Sequence, residues 1–375
     1  MVCSGRFVGL ILDGFASLYI AAICITLVET PAGTIPGGQA GLILSSSLIL
    51  IGMFQYGVRL TAEFETQMVS TERVLEYGQL EQEADFRIEG RPLSADWPDK
   101  GAITFNHVSL RYSRDLPPVL KDISFKINPA ERIGIVGRTG AGKSSLISVL
   151  FRLVEPDGVI KIDGIDTKSL GLHDLREKIS IIPQDPTLFS GTIRKNLDPF
   201  GIYPDDKLWE ALKSANLDAT VNSMPNKLDS IVTEGGGNLS VGQRQLLCLS
   251  RALLKSNRIL VLDEATANVD HETDKIIQKT IKNGFTNCTI LTVAHRLNTI
   301  IDMDRILVLD AGQVIEFDIP HLLLQNPKGH FYSMVQQTGK EFESMLHKMA
   351  ESAFKEGRKK GKHLFTIRKI VDESD

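Results

Sequence analysis

Gly137-Arg138-Thr139-Gly140-Ala141-Gly142-Lys143-Ser144 matches, at every fixed position, the pattern of a loop that cradles phosphates. Arg132–Val136 before it reads as a strand and Ser145–Leu153 after it as a helix, the context such a loop needs. The glycines let backbone N–H groups converge on phosphate oxygens. Lys143 then reaches the β- and γ-phosphates, and the Ser144 hydroxyl is placed to bind Mg²⁺.

Other polar residues stand at the ends of apolar runs. Ile259-Leu260-Val261-Leu262 ends in Asp263 and Glu264. A carboxylate at the carboxyl edge of a doubly wound sheet faces the phosphate loop. Asp263 is therefore expected to coordinate Mg²⁺, and Glu264 to act as general base on the attacking water. Gln184 follows Ile181-Ile182-Pro183, where its amide could sense both Mg²⁺ and that water. His295 follows the run Thr289–Val293 and could hydrogen-bond the γ-phosphate, holding the water and Glu264 in place. Tyr112 precedes the loop at a distance that lets its ring stack on adenine.

Leu239-Ser240-Val241-Gly242-Gln243 reads as the start of a helix, with Ser240 as its cap and Gly242 allowing close approach of backbone to a ligand. A helix N-terminus of that kind is an anion site.

These residues need a scaffold, and the pattern supplies one. Short β-rich runs lie at Ala102–Tyr112, Val119–Ile127, Arg132–Val136, Val159–Asp163, Ile179–Ile182, Ile259–Asp263, Thr289–Val293 and Arg305–Leu309. Helical patterns separate many of them, as in α/β folds with a parallel sheet. Gly191 to Asn238 has little strand character and reads as an inserted helical region. The α/β domain is expected to span 99–339, after an acidic, proline-bearing linker at 81–98 and before a charged tail at 340–375. The tail's basic run Arg358–His363 reads as a solvated helix, with attachment to an anionic membrane surface as the alternative.

Residues 1–80 differ. Phe7–Val28 carries one charge, Asp13, and Gly41–Val58 carries none. Each run is long enough to cross a bilayer as a helix. Spans of about 7–28 and 41–60 are predicted, joined by a turn rich in proline and glycine. Arg6 and Arg59 flank the open ends, which puts both ends in the cytosol. Net charge is −4 over 375 residues, which gives no global argument for a nucleic-acid partner. Cys3, Cys24, Cys248 and Cys288 show no metal spacing and read as free thiols.

The ordered set resembles the nucleotide-binding domain of an ATP-binding cassette (ABC) transporter: Tyr112, the phosphate loop, Gln184, Leu239–Gln243, Asp263-Glu264, the turn Ala267–Asp270, and His295. Ile193–Phe200 and Ser70–Tyr77 are similar to the second cassette and last spans of subfamily C, the multidrug resistance-associated branch. The resemblance implies a P-loop ATPase with a helical subdomain behind a two-helix membrane hairpin. It implies ATP hydrolysis coupled to export of organic anions across the plasma membrane, with the cassette in the cytosol. It adds Ser145 and Asp270 to the nucleotide set, and it makes a second cassette, from a longer transporter or a second copy, the partner at Leu239–Gln243. An aromatic-x-x-arginine pair facing substrate would be Tyr56 and Arg59. Val241 stands where the family most commonly has glycine, a variant frequent in the second cassette of this branch, so a working signature is implied. Two spans stand where a larger set is implied, so the sequence reads as the C-terminal part of a longer protein.

Two alternatives remain open at this stage. One is a regulatory or channel-type member in which ATP gates; the other is a shortened product inactive in transport alone. A chromosome-maintenance ATPase is excluded, because the about 100 residues between Lys143 and Ser240 show no heptads.

Overall fold

The computed structural model describes residues 2–31, 33–88, 94, 96–113, 115–265, 269–294 and 296–359. Two units, Met1–Glu83 and Ala84–Asp375, each pack internally.

The first unit is a pair of helices, α1 (Val2–Glu29) and α2 (Gly37–Gly78), with Pro31 and Pro36 in the turn between them. Both are long and apolar enough to cross a membrane. Their 42-residue second member rises about 63 Å at 1.5 Å per residue, twice the about 30 Å of a bilayer core. Its charged half begins at Arg59, whose Nε lies 3.3 Å from Glu63 Oε1 one turn on. Gln55 Nε2 donates to Asp13 Oδ1 at 2.7 Å and ties α2 to α1. In hydrocarbon neither polar group could be left alone, so the pair fixes how the two helices face each other. Phe15, Leu18, Leu48 and Phe54 are exposed, a surface suited to lipid rather than water.

The second unit opens with β1 (Ile103–Leu110), β2 (Leu120–Ile127) and β3 (Arg132–Gly137), which leads into α3 (Lys143–Leu150). β4 (Asp157–Ile162) and β5 (Ile165–Asp166) make a hairpin, followed by α4 (Leu172–Glu177) and β6 (Ile179–Ile182). β7 (Gly191–Thr192) opens a largely helical region of α5 (Ile193–Leu197), α6 (Asp205–Ser214) and α7 (Asp218–Ser223), closed by β8 (Ile231–Val232). Then come α8 (Val241–Lys255), β9 (Ile259–Asp263), α9 (His271–Gly284) and β10 (Thr289–Val293). β11 (Arg305–Asp310), β12 (Gln313–Asp318), α10 (Pro320–Leu323), α11 (His330–Gln336) and α12 (Lys340–Lys359) follow.

A six-stranded sheet in the order β12-β11-β3-β10-β9-β6 forms the centre. Its four pairings from β11 to β6 are parallel, and β12 closes one edge antiparallel to β11. Every residue of β10, and all of β9 up to Asp263, is buried. Such unbroken apolar strands belong where helices or a second sheet cover both faces. That second sheet is antiparallel, in the order β2-β1-β4-β5.

Three apolar clusters hold this unit together. The first fills the space between the two sheets and α3, where the Phe105 ring stacks on Phe125 at 4.4 Å. The second joins the helical region, α8 and α9 to the other side of the parallel sheet. The third seats the C-terminal helices on β11 through Phe331, Val335 and Leu346.

The structure departs from the sequence expectations in three places. The region predicted to have little strand character contains the β7–β8 ladder, two residues per strand, too short for any periodicity to register. β12 is absent from the predicted strands, because it is a half-buried edge whose alternation is broken by a register shift between Val308 and Leu309 of its partner. The Val159 strand starts earlier, at Asp157, where it pairs with Ser109.

Within 81–98, the Leu172 and His173 N–H groups donate to the carbonyls of Asp85 and Phe86, and the Phe86 ring stacks on His173. Trp97 is buried and its Nε1 donates to Ile162 O at 3.4 Å.

Phe105→Ala removes a fully buried ring from the space between the sheets and is expected to destabilise the second unit by about 3–5 kcal/mol. Both tryptophans, Trp97 and Trp209, lie in this unit, so denaturant unfolding followed by tryptophan fluorescence reads it directly. A loss below about 1 kcal/mol would show that this layer does not hold the unit together.

Candidate functional site

The parallel register brings the chemistry to one edge. Val293 at the end of β10 lies beside Asp263 of β9 and beside Ile135 of β3. Ile182 at the end of β6 lies beside Leu262. The phosphate loop, Asp263-Glu264 and Gln184 therefore all leave the carboxyl ends of neighbouring strands.

The loop's shape depends on its glycines. A Cβ on Gly137 would meet Leu309 O at 2.3 Å, and Gly142 has φ +102 where a Cβ would meet Leu120 Cδ2 at 2.8 Å. From that left-handed position Gly142 caps α3 without any side-chain acceptor. The first-turn N–H groups of α3 thus carry no side-chain cap and suit an anion.

Lys143 is 7% exposed, and its Nζ donates to the carbonyls of Gly137 at 2.9 Å and Arg138 at 3.3 Å. Burial pushes its pKa below the ordinary lysine value, while the charges of Glu264 and Asp263 oppose the shift. Glu264 holds φ +49, a left-handed backbone rare for a side chain of its size, and its N–H donates to Val293 O at 3.0 Å. Beside it lies a cavity of about 140 Å³ bordered by Thr292, whose buried hydroxyl has no partner among the described residues. Its wall is mostly apolar, with Glu264, Gln278 and Thr299 beside Thr292, and it is large enough for water.

Ser144, Gln184 and Asp263 offer a hydroxyl, an amide and a carboxylate, the oxygen donors that a hard cation prefers. No group of three or more His, Cys, Asp or Glu able to hold a metal occurs among the described residues. The set fits an ion that shares its ligands with phosphate, as Mg²⁺ does.

Tyr112 stands just beyond β1, half exposed, and its hydroxyl is 3.0 Å from the buried Ser145 Oγ. This bond anchors the ring to the first turn of α3. Arg138, Thr139, Gly140 and Ala141 complete the loop, and the Ala141 N–H donates to Arg138 O. A cavity of about 710 Å³ opens beside the loop, with Arg138, Thr139, His271, Arg296 and Phe342 in its wall.

Ser240 is the N-cap of α8. Its Oγ accepts from the Gln243 N–H at 3.1 Å, while Gln243 Oε1 accepts from the Ser240 N–H at 2.9 Å. This reciprocal box satisfies two donors of the helix end. Val241 is exposed, whereas Leu239 is buried in the helical cluster and presents only backbone to a ligand. Gly242 is buried against Thr273, whose Cγ2 would be 3.0 Å from an added Cβ. Asp270 caps α9 by accepting from the Thr273 N–H at 3.0 Å. That bond, with the Thr273 hydroxyl, holds its carboxyl below the usual range. His295 and the Ala267–Asn268 stretch lie outside the described residues, as does the tail beyond Lys359.

A family model described as ABC transporter matches residues 120–267, from β2 through the phosphate loop, the α8 box and the Asp263-Glu264 pair. ATP-binding cassette sub-family C member 4 of Mus musculus is 52% identical over 351 residues, covering 94% of this chain and 26% of the relative. The chain belongs to the ABC transporter family, subfamily C. ATP-binding cassette sub-family C member 2 of Homo sapiens is 49% identical over 343 residues, 91% of this chain and 22% of the relative. Metal resistance protein YCF1 of Saccharomyces cerevisiae is 51% identical over 324 residues, 86% of this chain and 21% of the relative. The chain spans about a quarter of the length of these curated relatives. The second unit thus carries the nucleotide-binding cassette of the ABC class.

Sequence reasoning missed two groups around the site. One is Thr273, the contact that only glycine at 242 admits. The other is Gln245, a buried amide in α8 with no local signal beyond its place on the apolar face.

The phosphate-holding role expected of Lys143 requires its charge, and its pKa is lowered by burial. Affinity for ATP is therefore expected to fall as pH rises, beginning below the ordinary lysine range. Lys143→Arg, which stays charged, should flatten that alkaline limb. Nucleotide titrations between pH 7 and 10.5 check this; a limb of equal position in both proteins would assign it to another group.

Proposed function

We propose that the chain is the ATP-driven C-terminal part of an exporter that moves organic anions across the plasma membrane, with its cassette in the cytosol. The observation that carries the reading is Lys143, buried in the phosphate loop within the field of Glu264 and Asp263 at one edge of a parallel sheet.

In this reading the loop N–H groups and Lys143 hold the β- and γ-phosphates of ATP, and the Tyr112 ring stacks on adenine. Glu264 takes a proton from a water as its oxygen bonds to the γ-phosphorus and the bond from that phosphorus to the bridging oxygen of ADP breaks. ADP and phosphate leave. His295 and Gln184 orient the water. Ser144, Asp263 and Gln184 would hold Mg²⁺, which supplies neutralisation of the charge gathering on the phosphates.

The α8 end serves a second site. Ser240 and Gly242, with Val241 and Gln243, close over ATP held by a second cassette, from a longer transporter or another copy of this chain. Asp270 lines the same junction. Support comes from the construction of α8: its N-terminus is seated in the helical cluster with Leu239, whereas α3 and the loop belong to the cluster between the sheets. Two independently packed cores carrying two anion-binding helix ends suit two different nucleotides. In the membrane unit Tyr56 and Arg59 stand three residues apart on α2, and an arginine at the membrane edge suits an anionic substrate.

Full-length Lys143→Ala, reconstituted in vesicles, is expected to lose ATP binding. Glu264→Gln should keep binding and lose turnover by about 100-fold or more. ATP affinity and phosphate release separate the two. Turnover that persists in Glu264→Gln would remove this residue as the base. Where the second cassette is another copy of this chain, turnover per chain should also rise with chain density in the vesicle; a density-independent rate would overturn sharing between copies.

A further inference from the structure

Gln245 lies in α8 three residues after Gly242, on the same buried face of the helix. It is 2% exposed. Its Nε2 donates to the backbone carbonyls of Pro183 and Gln184, each at 3.1 Å. Two carbonyl oxygens fix the orientation of the amide, since only its nitrogen can donate. The Oε1 is then buried, with no hydrogen-bond partner among the described residues. Leaving a buried acceptor unmade costs stability, and an apolar side chain of the same shape would avoid that cost. The same replacement would take the donor from both carbonyls, so the lone Oε1 is offset by what Nε2 holds.

The two acceptors explain the amide. The β6 ladder ends where Ile182 pairs with Leu262. Pro183 has no N–H to continue it, so the next two carbonyls need another holder, and Gln245 is that holder. Further along α8, Arg251 Nη1 donates to Thr187 O at 2.9 Å and its Nη2 to Asn196 Oδ1 at 2.7 Å. The segment that carries Gln184 is thus gripped at both ends by the helix whose N-terminus carries Ser240.

We propose that Gln245 is a positioning residue that yokes Gln184 to the first turn of α8. The side chain that senses one ATP and the helix end offered to the other then move as one body. This rests on the reading above, in which Gln184 serves this chain's own nucleotide and Ser240 the second. A shift of Gln184 toward Mg²⁺ and phosphate carries the two carbonyls with it. Their bonds to Gln245 pass the shift to α8, because breaking them would strand two buried N–H groups.

The test uses the full chain in lipid vesicles and a non-hydrolysable ATP analogue with Mg²⁺. Backbone hydrogen exchange is read at 184–188 and at 243–247. In the unchanged chain the analogue is expected to alter both segments. In Gln245→Leu it should alter the first as before, while the response at 243–247 falls by about threefold or more and analogue affinity stays within about twofold. Gln245→Met keeps the length of the side chain and should behave alike. Turnover of Gln184→Ala combined with Gln245→Leu should equal that of Gln184→Ala alone, since one residue acts through the other.

A full response at 243–247 in both Gln245 variants overturns the yoke, as does an additive loss in the double variant. Unfolding of both variants would assign Gln245 to folding and overturn it as well. If Gln184→Ala leaves turnover and both exchange responses intact, the placement of Gln184 at the ATP site is itself wrong, and the yoke falls with it.

Discussion

A buried ammonium organises the cassette. Lys143 sits among carbonyl oxygens of its own loop, nearly out of water, at a desolvation cost that lowers its pKa. A cation in that position is tolerable only where negative charge is close by and fixed. Asp263 and Glu264 supply the charge, and the sheet supplies the fixing. Their strand must run parallel to β3 with one strand between, in a register set by Val293. The buried apolar runs of β9 and β10, the covering helices and the antiparallel sheet beneath follow from the need to hold that register.

The loop shows how little freedom remains once this is set. Gly137 touches the Leu309 carbonyl of β11, and Gly142 touches Leu120 of β2. Gly312, at φ +83 between β11 and β12, lies so close to Val119 that no Cβ could fit. The loop is clamped between a central strand and the second sheet. Its amides are therefore aimed before any phosphate arrives, which spares the entropy of ordering them later.

Much of this was legible in the sequence because chemistry and pattern coincide there. The phosphate loop has a fixed spacing, and Asp263 and Gln184 follow runs too apolar to be surface turns. Other parts could not be read. β7 and β8 are too short to carry a period, and β12 is an edge whose residues face two environments. The pairing of Tyr112 with Ser145 joins residues 33 apart through a hydroxyl contact that no local pattern encodes. Gln245 reads in sequence as one more polar residue of an amphipathic helix; only the fold brings Pro183 and Gln184 against it.

The segment ahead of β1 has a consequence for how the protein can be taken apart. Asp163 accepts from the N–H groups of Lys100, Gly101 and Ala102, Trp97 closes over Ile162, and Phe86 covers His173. At Gly171 the Phe86 carbonyl would lie 2.7 Å from any Cβ. The cassette as a folding unit therefore begins well upstream of its first strand. A truncation that begins at Trp97 keeps the indole over Ile162 but strips Phe86 from His173. A cut at Gly101 strips the wall from a finished core and leaves an apolar groove open to water.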